Sequence, residues 1–204
     1  MRVVLATSNP GKIAELSQLL EPLGIEVLPQ SQFTATSAAE TGLTFVENAI
    51  LKARHAALSA GLPAIADDSG IEVDALRGAP GVHSARYAGP EATDLENLEK
   101  LLHALEGVEP SQRTARYRCA LVYLRSADDP SPVICQNEWE GRIAHAPRGA
   151  GGFGYDPIFE LPRFGVTAAE LPAPIKNELS HRGKAFRDLI AKLAPIVAMQ
   201  RASL

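Results

Sequence analysis

The segment 62–70 constrains the fold of this chain more strongly than any other. An apolar run from 62 to 66 stops at two adjacent carboxylates, Asp67 and Asp68, and a serine and a glycine follow. This pattern predicts a strand that ends in a tight turn. Because two carboxylates are costly to bury unpaired, they form either a solvated hairpin turn or a site for a hard cation. Side chains alternate across a strand, which favours Asp68, nearer the turn, as the one direct metal ligand or base.

The composition indicates one soluble globular domain over residues 1–204. The chain is 46% hydrophobic, but no apolar run approaches the roughly 20 residues of a membrane span. The N-terminus enters a strand-like pattern at once, without room for a signal peptide, so we expect a cytoplasmic protein with no membrane partner. The only cysteines, Cys119 and Cys135, are expected to be reduced packing residues.

The net charge restricts the possible partners. A net charge of -4 argues against binding to a nucleic acid, which needs an excess of lysine and arginine on one face. Any basic residues that matter must therefore be local and face a small anion.

A strand, a turn and a helix open the chain. Residues 2–7 have a β-branched strand pattern, and apolar positions repeat at helical spacing from Ile13 to Leu20. In the turn 8–12, backbone N–H groups at the helix start, together with Lys12, suit a phosphate. Ordinary α/β connections have the same pattern, and the P-loop sequence is absent.

A second helix is predicted from its capping sequence. Thr44 and Glu47 have the spacing of a capping box. On the helix that they open, Asn48, Lys52 and His55 fall at i, i+4 and i+7 and share one face. This stripe is either a solvated surface or a means of bringing Lys52 to the carboxylates of the following strand.

The central part of the chain alternates strands with one helix. Residues 71–76 are expected to return from the aspartates as the second strand of a hairpin. Thr93 or Asp94 caps an amphipathic helix whose leucine stripe is either core or a dimer contact. Two long alternating stretches, 113–124 and 133–144, predict neighbouring antiparallel strands.

The segment 149–154 matches the pattern G-x-G-x-x-G by its letters. No strand leads into it, and Tyr155 and Asp156 follow where a helix should begin, so a dinucleotide-binding loop is excluded. The glycines allow the backbone to approach a ligand, with Phe153 or Tyr155 offering a ring face to a base. The alternative is an ordinary glycine-rich loop with buried aromatic residues.

Cationic side chains gather near the last helix. Lys176, His181 and Arg182 are expected just before it or at its N-terminus, where positive charge opposes the helix dipole. An anionic ligand would offset this unfavourable arrangement, although lysine and arginine are also common at helix starts. Together with Lys12, Lys52 and the aspartates, these residues are consistent with a nucleotide site.

Five stretches, distributed over nearly the whole chain, carry a further signal. They are Thr7–Lys12, Glu40–Lys52, Ala66–Gly70, Gly152–Pro157 and Ser180–Gly183. In this order, and with none missing, they resemble the motifs of the inosine/xanthosine triphosphate pyrophosphatase family. The resemblance implies an α/β fold, namely an elongated single domain with a central mixed β-sheet in two lobes, flanked by helices, and a nucleotide cleft between the lobes.

The same resemblance implies an activity. It implies a homodimer that uses Mg²⁺ to hydrolyse ITP, dITP, XTP and dXTP to the monophosphate and pyrophosphate, which cleanses the nucleotide pool. Carried over by motif, Glu40 and Asp68 hold the metal, and Asp68 accepts a proton from the water that attacks the α-phosphorus. Lys52, with Lys12 and Lys176, is expected to neutralise the leaving pyrophosphate. The residues implied to bind substrate are Thr7, Ser8, Asn9, Lys12, Ser69, Phe153, Gly154, Tyr155, Asp156, Lys176, His181 and Arg182.

The edges of the bases predict the selectivity. Hypoxanthine and xanthine carry a 6-oxo acceptor where adenine carries an amino donor, so donors from His181, Arg182 or the backbone would disfavour ATP. Guanine also has the 6-oxo group, and the sequence contains no signal for the rejection of GTP.

Other classes of protein remain as alternatives. A non-catalytic nucleotide-sensing module would use the same lysines and aromatic loop but would not need Glu40 and Asp68. An aspartyl-phosphate phosphatase would need D-x-D after the first strand, whereas these aspartates are adjacent and late in the chain. A purely structural protein would leave the carboxylates unexplained.

Overall fold

The computed structural model describes residues 1–7 and 10–202 of the chain. In this part the strands are β1 (Arg2–Leu5), β2 (Glu26–Pro29), β3 (Ala64–Val73), β4 (Thr114–Leu124), β5 (Val133–Ile143), β6 (Phe159–Leu161) and β7 (Val166–Thr167). The helices are α1 (Pro10–Leu20), α2 (Phe45–Ala60), α3 (Asp94–Ala104), α4 (Ala173–Leu179) and α5 (His181–Ala202). None of the helices within these described ranges is both long enough and apolar enough to cross a membrane.

The strands form one mixed sheet in the order β2-β1-β3-β4-β5-β6-β7. Strand β1 pairs in parallel with β2, with Val3 in register with Val27, and with β3, with Leu5 in register with Ile65. Strand β6 pairs antiparallel with both β5 and β7. Parallel neighbours need crossover connections, and α1 and α2 lie in those connections. The predicted mixed α/β sheet is therefore confirmed.

The chain divides into two compact units. The first unit takes in the described residues of Met1–Asp68, Ala120–Gln136 and Ala185–Leu204. The second unit consists of Ser69–Cys119 and Asn137–Lys184. Cys119 and Cys135 are both buried, as expected for packing residues, and no disulfide joins them.

In the first unit, α2 packs against β1 with small side chains. Ala49, Ala53 and Ala56 are fully buried, and alanine combines high helix propensity with room for a close approach. Thr44 and Glu47 form the predicted capping box at the start of this helix. The cap and the alanines together fix the rotation of α2, and therefore fix which of its residues face away from β1.

The second unit has one large core cluster built from β3, α3, β4, β5 and β6. The N-cap of α3 is Thr93, which forms a capping box with Glu96. The leucine stripe of this helix enters the core through Leu98, Leu101 and Leu105, all of which are buried. For these three leucines the core interpretation of the stripe is confirmed.

Strand β3 shows that the predicted turn at the aspartates is wrong. The strand runs without interruption from Ala64 to Val73, so no hairpin separates its two halves, and residues 74–76 form a 3-10 turn. Asp67 and Asp68 are both buried within the strand. Burial is tolerated because each carboxylate pairs with a lysine from another element, which the local sequence pattern does not encode.

Helix α4 was not part of the sequence prediction. Lys176 lies in this separate helix, Ser180 follows its last residue, and α5 begins directly at His181. Lys176 thus lies before the last helix and His181 and Arg182 lie at its start, as predicted, but Lys176 belongs to a separate helix.

The connection between β4 and β5 is organised by a buried carboxylate. Asp129 is only 3% exposed, and its two oxygens accept hydrogen bonds from the backbone N–H and guanidinium of Arg125 and from the backbone N–H of Ser131. The Arg125 side chain holds the pKa of Asp129 well below its usual range. A lowered pKa contributes stability that is present above about pH 4, the unfolded value, and is lost as the pH falls toward the folded value.

We expect Asp129→Asn to lower the free energy of unfolding by about 1–3 kcal/mol at neutral pH, because the N–H groups of Arg125 and Ser131 lose a charged acceptor. The difference from the unmodified protein should shrink as the pH is lowered below about 4. Urea unfolding at several pH values measures both effects. Asp128→Asn is the matched control, since the Asp128 carboxylate accepts a hydrogen bond from the exposed Ser126 hydroxyl. A difference that stays constant down to the acid limit would contradict this role of Asp129.

Candidate active site

Helix α1 carries Lys12 to the carboxylate of Asp67. The distance from Lys12 Nζ to Asp67 Oδ2 is 2.7 Å, and the Asp67 side chain is only 5% exposed. A buried carboxylate requires such a partner. Asp67, the residue next to the predicted base Asp68, is therefore paired with Lys12. The predicted ligands Ser8 and Asn9 lie outside the described residues.

The ammonium of Lys52 lies between two carboxylates. Its Nζ is 2.9 Å from Glu40 Oε1 and 2.7 Å from Asp68 Oδ1. Burial by itself would lower the pKa of Lys52, but attraction by the nearby carboxylates, Asp68 foremost, outweighs burial and the pKa is raised. Burial also raises the pKa of Asp68, and Lys52 opposes that rise. The prediction that Lys52 reaches the carboxylates is confirmed.

Asn48, one turn before Lys52 on α2, links the same two segments. Its Oδ1 accepts a hydrogen bond of 2.8 Å from the backbone N–H of Gly42, two residues after Glu40. A Cβ on Gly42 would lie 2.8 Å from this Oδ1, so glycine is what allows the close approach. The Asn48 amide also lowers the pKa of Asp68, although its Nδ2 completes no hydrogen bond of normal geometry with the described residues. Asn48 therefore orients the segment that carries Glu40.

A cavity of about 340 Å³ brings together most of the predicted residues of the first unit. The predicted residues Thr7, Lys12, Glu40 and Lys52 line it, whereas Asp68 does not. The rest of the described wall comes from Asp67, Ala6 and residues of the polar segment 30–38. This wall is anchored to α2, since His55 Nε2 lies 3.0 Å from the backbone oxygen of Thr36. Two lysines facing a polar cavity are suited to an anion such as a phosphate chain.

The carboxylate oxygens of Glu40 and Asp68 are suited to binding a hard divalent cation. Glu40 and Asp68 contact the same nitrogen and are therefore close enough to share a cation, and carboxylate oxygens are the ligands that Mg²⁺ prefers. Asp68 Oδ2 is buried and has no hydrogen-bond partner among the described residues. Within those residues no group of three or more His, Cys, Asp or Glu side chains could hold a metal. The pair matches Mg²⁺ sites that use one or two carboxylates and complete the shell with substrate phosphates and water.

In the second unit, Asp156 organises the glycine-rich loop. Its Oδ2 accepts a hydrogen bond of 2.8 Å from the backbone N–H of Phe153 and pairs with Lys176 Nζ, and its Oδ1 accepts from the Tyr117 hydroxyl at 3.3 Å. A Cβ on Gly152 would lie 2.1 Å from Asp156 Oδ2, and the φ of this glycine is +74°. Only glycine satisfies both constraints. Asp156 therefore shapes the loop, and its contact with substrate stays a prediction.

Of the two candidate rings in this loop, only Phe153 offers an accessible face. Phe153 is 56% exposed, with Lys176 Nζ 5.0 Å and the Arg182 guanidinium carbon 5.4 Å from its ring centroid. Tyr155 is buried in the core, and its hydroxyl donates to the backbone oxygen of Ser84 at 2.8 Å. The idea that the Tyr155 ring stacks on a base is therefore wrong, because that ring packs into the core.

Helix α5 opens with His181 and Arg182. The buried His181 ring stacks on Tyr117 with a centroid distance of 4.7 Å and an interplanar angle of 9°. Arg182 donates through Nη2 to Ser69 Oγ at 3.1 Å. A Cβ on the next residue, Gly183, would lie 1.6 Å from the backbone oxygen of Asn177, so no side chain fits there. The close packing of α4 against the start of α5 thus holds the two predicted ligands in place.

Three further residues contact these groups, although the sequence contains no signal that places them in the site. Asn48 was recognised only as part of a helical stripe, and Tyr117 only as one position of an alternating strand. Asp94 was considered as a helix cap, but its Oδ2 accepts a hydrogen bond of 2.8 Å from the backbone N–H of Gly154. The partners of Tyr117 and Asp94 are remote in sequence, and the six-residue separation of Asn48 and Gly42 is not a characteristic motif spacing, so the sequence contains no signal for these contacts.

The site residues therefore form two clusters, one in each unit. The first holds Lys12, Glu40, Lys52, Asp67 and Asp68. The second holds Ser69, Phe153, Gly154, Tyr155, Asp156, Lys176, His181 and Arg182. The first cluster contains carboxylates with lysines, and the second contains an exposed ring with cations.

The fold and these clusters define a mixed α/β protein with an acidic and lysine-rich cavity and an aromatic, glycine-rich loop. The model of the Ham1 family matches residues 3–192, and the chain belongs to this family. A relative from Thioalkalivibrio sulfidiphilus named dITP/XTP pyrophosphatase is 64% identical, over 95% of this chain and 98% of its own. A relative of the same name from Vibrio parahaemolyticus is 58% identical, over 95% of this chain and 96% of its own.

Solved structures agree with this assignment. The structure of a HAM1 protein from Coxiella burnetii has a TM-score of 0.92 and 51% identity, and covers 96% of this chain and 99% of that one. A structure from Mycobacterium abscessus, described as a nucleoside-triphosphatase and dITP/XTP pyrophosphatase, has a TM-score of 0.79 and 39% identity, with coverage of 93% and 98%.

Proposed function

We propose that this protein hydrolyses ITP, dITP, XTP and dXTP to the nucleoside monophosphate and pyrophosphate. The observation that carries the proposal is the similarity, along nearly the whole chain, to relatives named dITP/XTP pyrophosphatase. The two clusters support it, because a nucleoside triphosphate needs both a binding place for phosphates and one for a base.

The first cluster is proposed to bind the triphosphate and carry out the reaction. Glu40 and Asp68 would hold Mg²⁺, which when bound withdraws charge from phosphate oxygens. Asp68 accepts a proton from the attacking water, the role of a positioned general base. The water oxygen bonds to the α-phosphorus, and the bond from that phosphorus to the bridging oxygen of the β-phosphate breaks. Lys12 and Lys52 stabilise the negative charge of the departing pyrophosphate.

The second cluster is proposed to bind the base. The exposed ring of Phe153 provides a stacking surface. Arg182 and His181 supply hydrogen-bond donors for the 6-oxo acceptor of hypoxanthine or xanthine. Ser69, Gly154 and the backbone of the loop complete the predicted contacts, and Lys176 supports the loop through Asp156.

The test is product analysis with ITP and Mg²⁺. We expect equimolar IMP and pyrophosphate, with loss of turnover when EDTA removes the metal and recovery when Mg²⁺ is restored. Tight ITP binding without product would favour the nucleotide-sensing alternative. Release of orthophosphate as the first product would favour a phosphatase.

Three further expectations belong to this proposal. We propose one folding domain over residues 1–204, and β3, β4 and β5 support it because each contributes residues to both units. A single cooperative unfolding transition would agree with one domain. A homodimer is proposed from the family resemblance and is to be tested by light scattering. The expected cytoplasmic location also stays a proposal, to be tested by cell fractionation.

A further inference from the structure

One lysine holds the two proposed metal ligands together. Glu40 lies in the segment between β2 and α2, whereas Asp68 lies in β3. Both carboxylates contact Lys52 Nζ, at 2.9 and 2.7 Å. The Lys52 side chain is only 17% exposed, so solvent and salt screen these contacts weakly. Without this ammonium the two negative charges would repel each other.

We infer that Lys52 is a positioning residue whose ammonium occupies the carboxylate oxygens that a divalent cation needs, so that lysine and metal compete for Glu40 and Asp68. This inference rests on the metal site of the proposed function. It assigns to Lys52 a role that precedes the neutralisation of pyrophosphate.

The chemistry of lysine suits such an exchange. Its ammonium is a compact charge with three donors on a flexible four-carbon stem. Two donors reach the carboxylates, and the side chain lines the same cavity as Lys12. If both carboxylates held a divalent cation, the Lys52 ammonium would be repelled, and its flexible stem would allow it to turn toward a phosphate oxygen in that cavity. Each charge then keeps an opposite partner throughout the exchange.

Lys12 offers a natural comparison. It lines the same cavity and pairs with a buried aspartate at 2.7 Å, but that aspartate is Asp67 and not one of the two proposed metal ligands. Removing Lys12 takes away a nearby positive charge and leaves the Lys52 contacts with Glu40 and Asp68 in place. The two lysines therefore separate direct competition from a general effect of charge.

The experiment measures the affinity of the full chain for Mg²⁺ alone, by isothermal titration calorimetry without nucleotide. Four proteins are compared: the unmodified protein, Lys52→Met, Lys52→Arg and Lys12→Met. We expect Lys52→Met to bind Mg²⁺ about tenfold more tightly, because a hydrogen-bonded internal cation no longer has to be displaced. Lys52→Arg should bind it more weakly, since a planar guanidinium holds two carboxylates more firmly. Lys12→Met should change the affinity by about twofold or less.

Several results would overturn the inference. They are an unchanged or weaker Mg²⁺ affinity in Lys52→Met, a tightening in Lys12→Met as large as that in Lys52→Met, a tightening in Lys52→Arg, and the lack of any Mg²⁺ binding in all four proteins. If Lys52→Met does not fold, as judged by circular dichroism, the inference is tested by the Mg²⁺ affinity of Lys52→Arg compared with that of the unmodified protein.

The ranking of Mg²⁺ affinities tests the competition separately from the proposed activity. An unmodified protein that binds Mg²⁺ with the expected ranking of variants, but releases no pyrophosphate from ITP, would refute the proposed function and leave the competition intact. A protein that releases pyrophosphate while its variants rank differently would refute the competition alone.

Discussion

Asp68→Asn is expected to leave a folded protein that releases pyrophosphate from ITP about 10³-fold more slowly or worse. An asparagine has nearly the same shape, but it neither accepts the proton of the attacking water nor supplies a charged metal ligand, and loss of one positioned base typically removes 10²–10⁴-fold. The loss should fall on kcat, with KM changed far less, because the lysines that bind phosphate remain. Steady-state assays of pyrophosphate release measure both constants.

The fold should tolerate this substitution for a physical reason. Burial raises the pKa of Asp68, so the folded protein disfavours the charge that the variant removes. We therefore expect the free energy of unfolding to change by about 1 kcal/mol or less. Asp74→Asn is the matched control, since Asp74 follows the same strand but bonds Arg116 and Thr114. Near-normal turnover in Asp68→Asn, or an equal loss in both variants, would remove Asp68 from the mechanism.

The sequence predicts those parts of this fold that depend on neighbouring residues. The capping box at Thr44, the cap at Thr93, which is one of the two candidates for that cap, and the burial of Leu98, Leu101 and Leu105 are local features, and the structure confirms them. A capping box joins residues three apart, and the apolar positions of a helix repeat every 3.6 residues, so both features can be recognised in a short stretch of sequence.

Strand β3 shows where such local inference stops. Two adjacent aspartates after an apolar run indicate the end of a strand, yet the strand continues to Val73. Lys12 and Lys52 neutralise the pair from α1 and α2. Since these contacts join residues far apart in sequence, only the three-dimensional fold decides between a solvated turn and a buried strand.

The same division holds for the site. Motif resemblance supplied the residues proposed to contact metal or substrate, including Glu40, Lys52 and Arg182, because their residue types are tied to the proposed chemistry. The residues that orient them, such as Asn48 through Gly42 and Tyr117 through Asp156, have no characteristic spacing. A buried amide and a buried hydroxyl become recognisable only when their partners are seen.

Arg182→Ala is expected to reduce the selectivity for ITP over ATP by about a hundredfold. Arg182 is held at the ring of Phe153 and at Ser69 Oγ, and its guanidinium carries only donors. A charged donor to the 6-oxo group of hypoxanthine contributes about 1.5–3 kcal/mol, whereas the amino group of adenine gains nothing from it. The value of kcat/KM should therefore fall for ITP and stay nearly constant for ATP.

The control for this prediction lies on the same turn of α5. Lys184→Ala removes a cation that bonds the backbone oxygen of Glu138, away from Phe153, and its ITP to ATP ratio should match that of the unmodified protein. An equal fall for both nucleotides in Arg182→Ala would make the residue a phosphate or structural contact. Selectivity would then have to come from His181 or from the backbone of the loop, the other donors predicted to read the 6-oxo group.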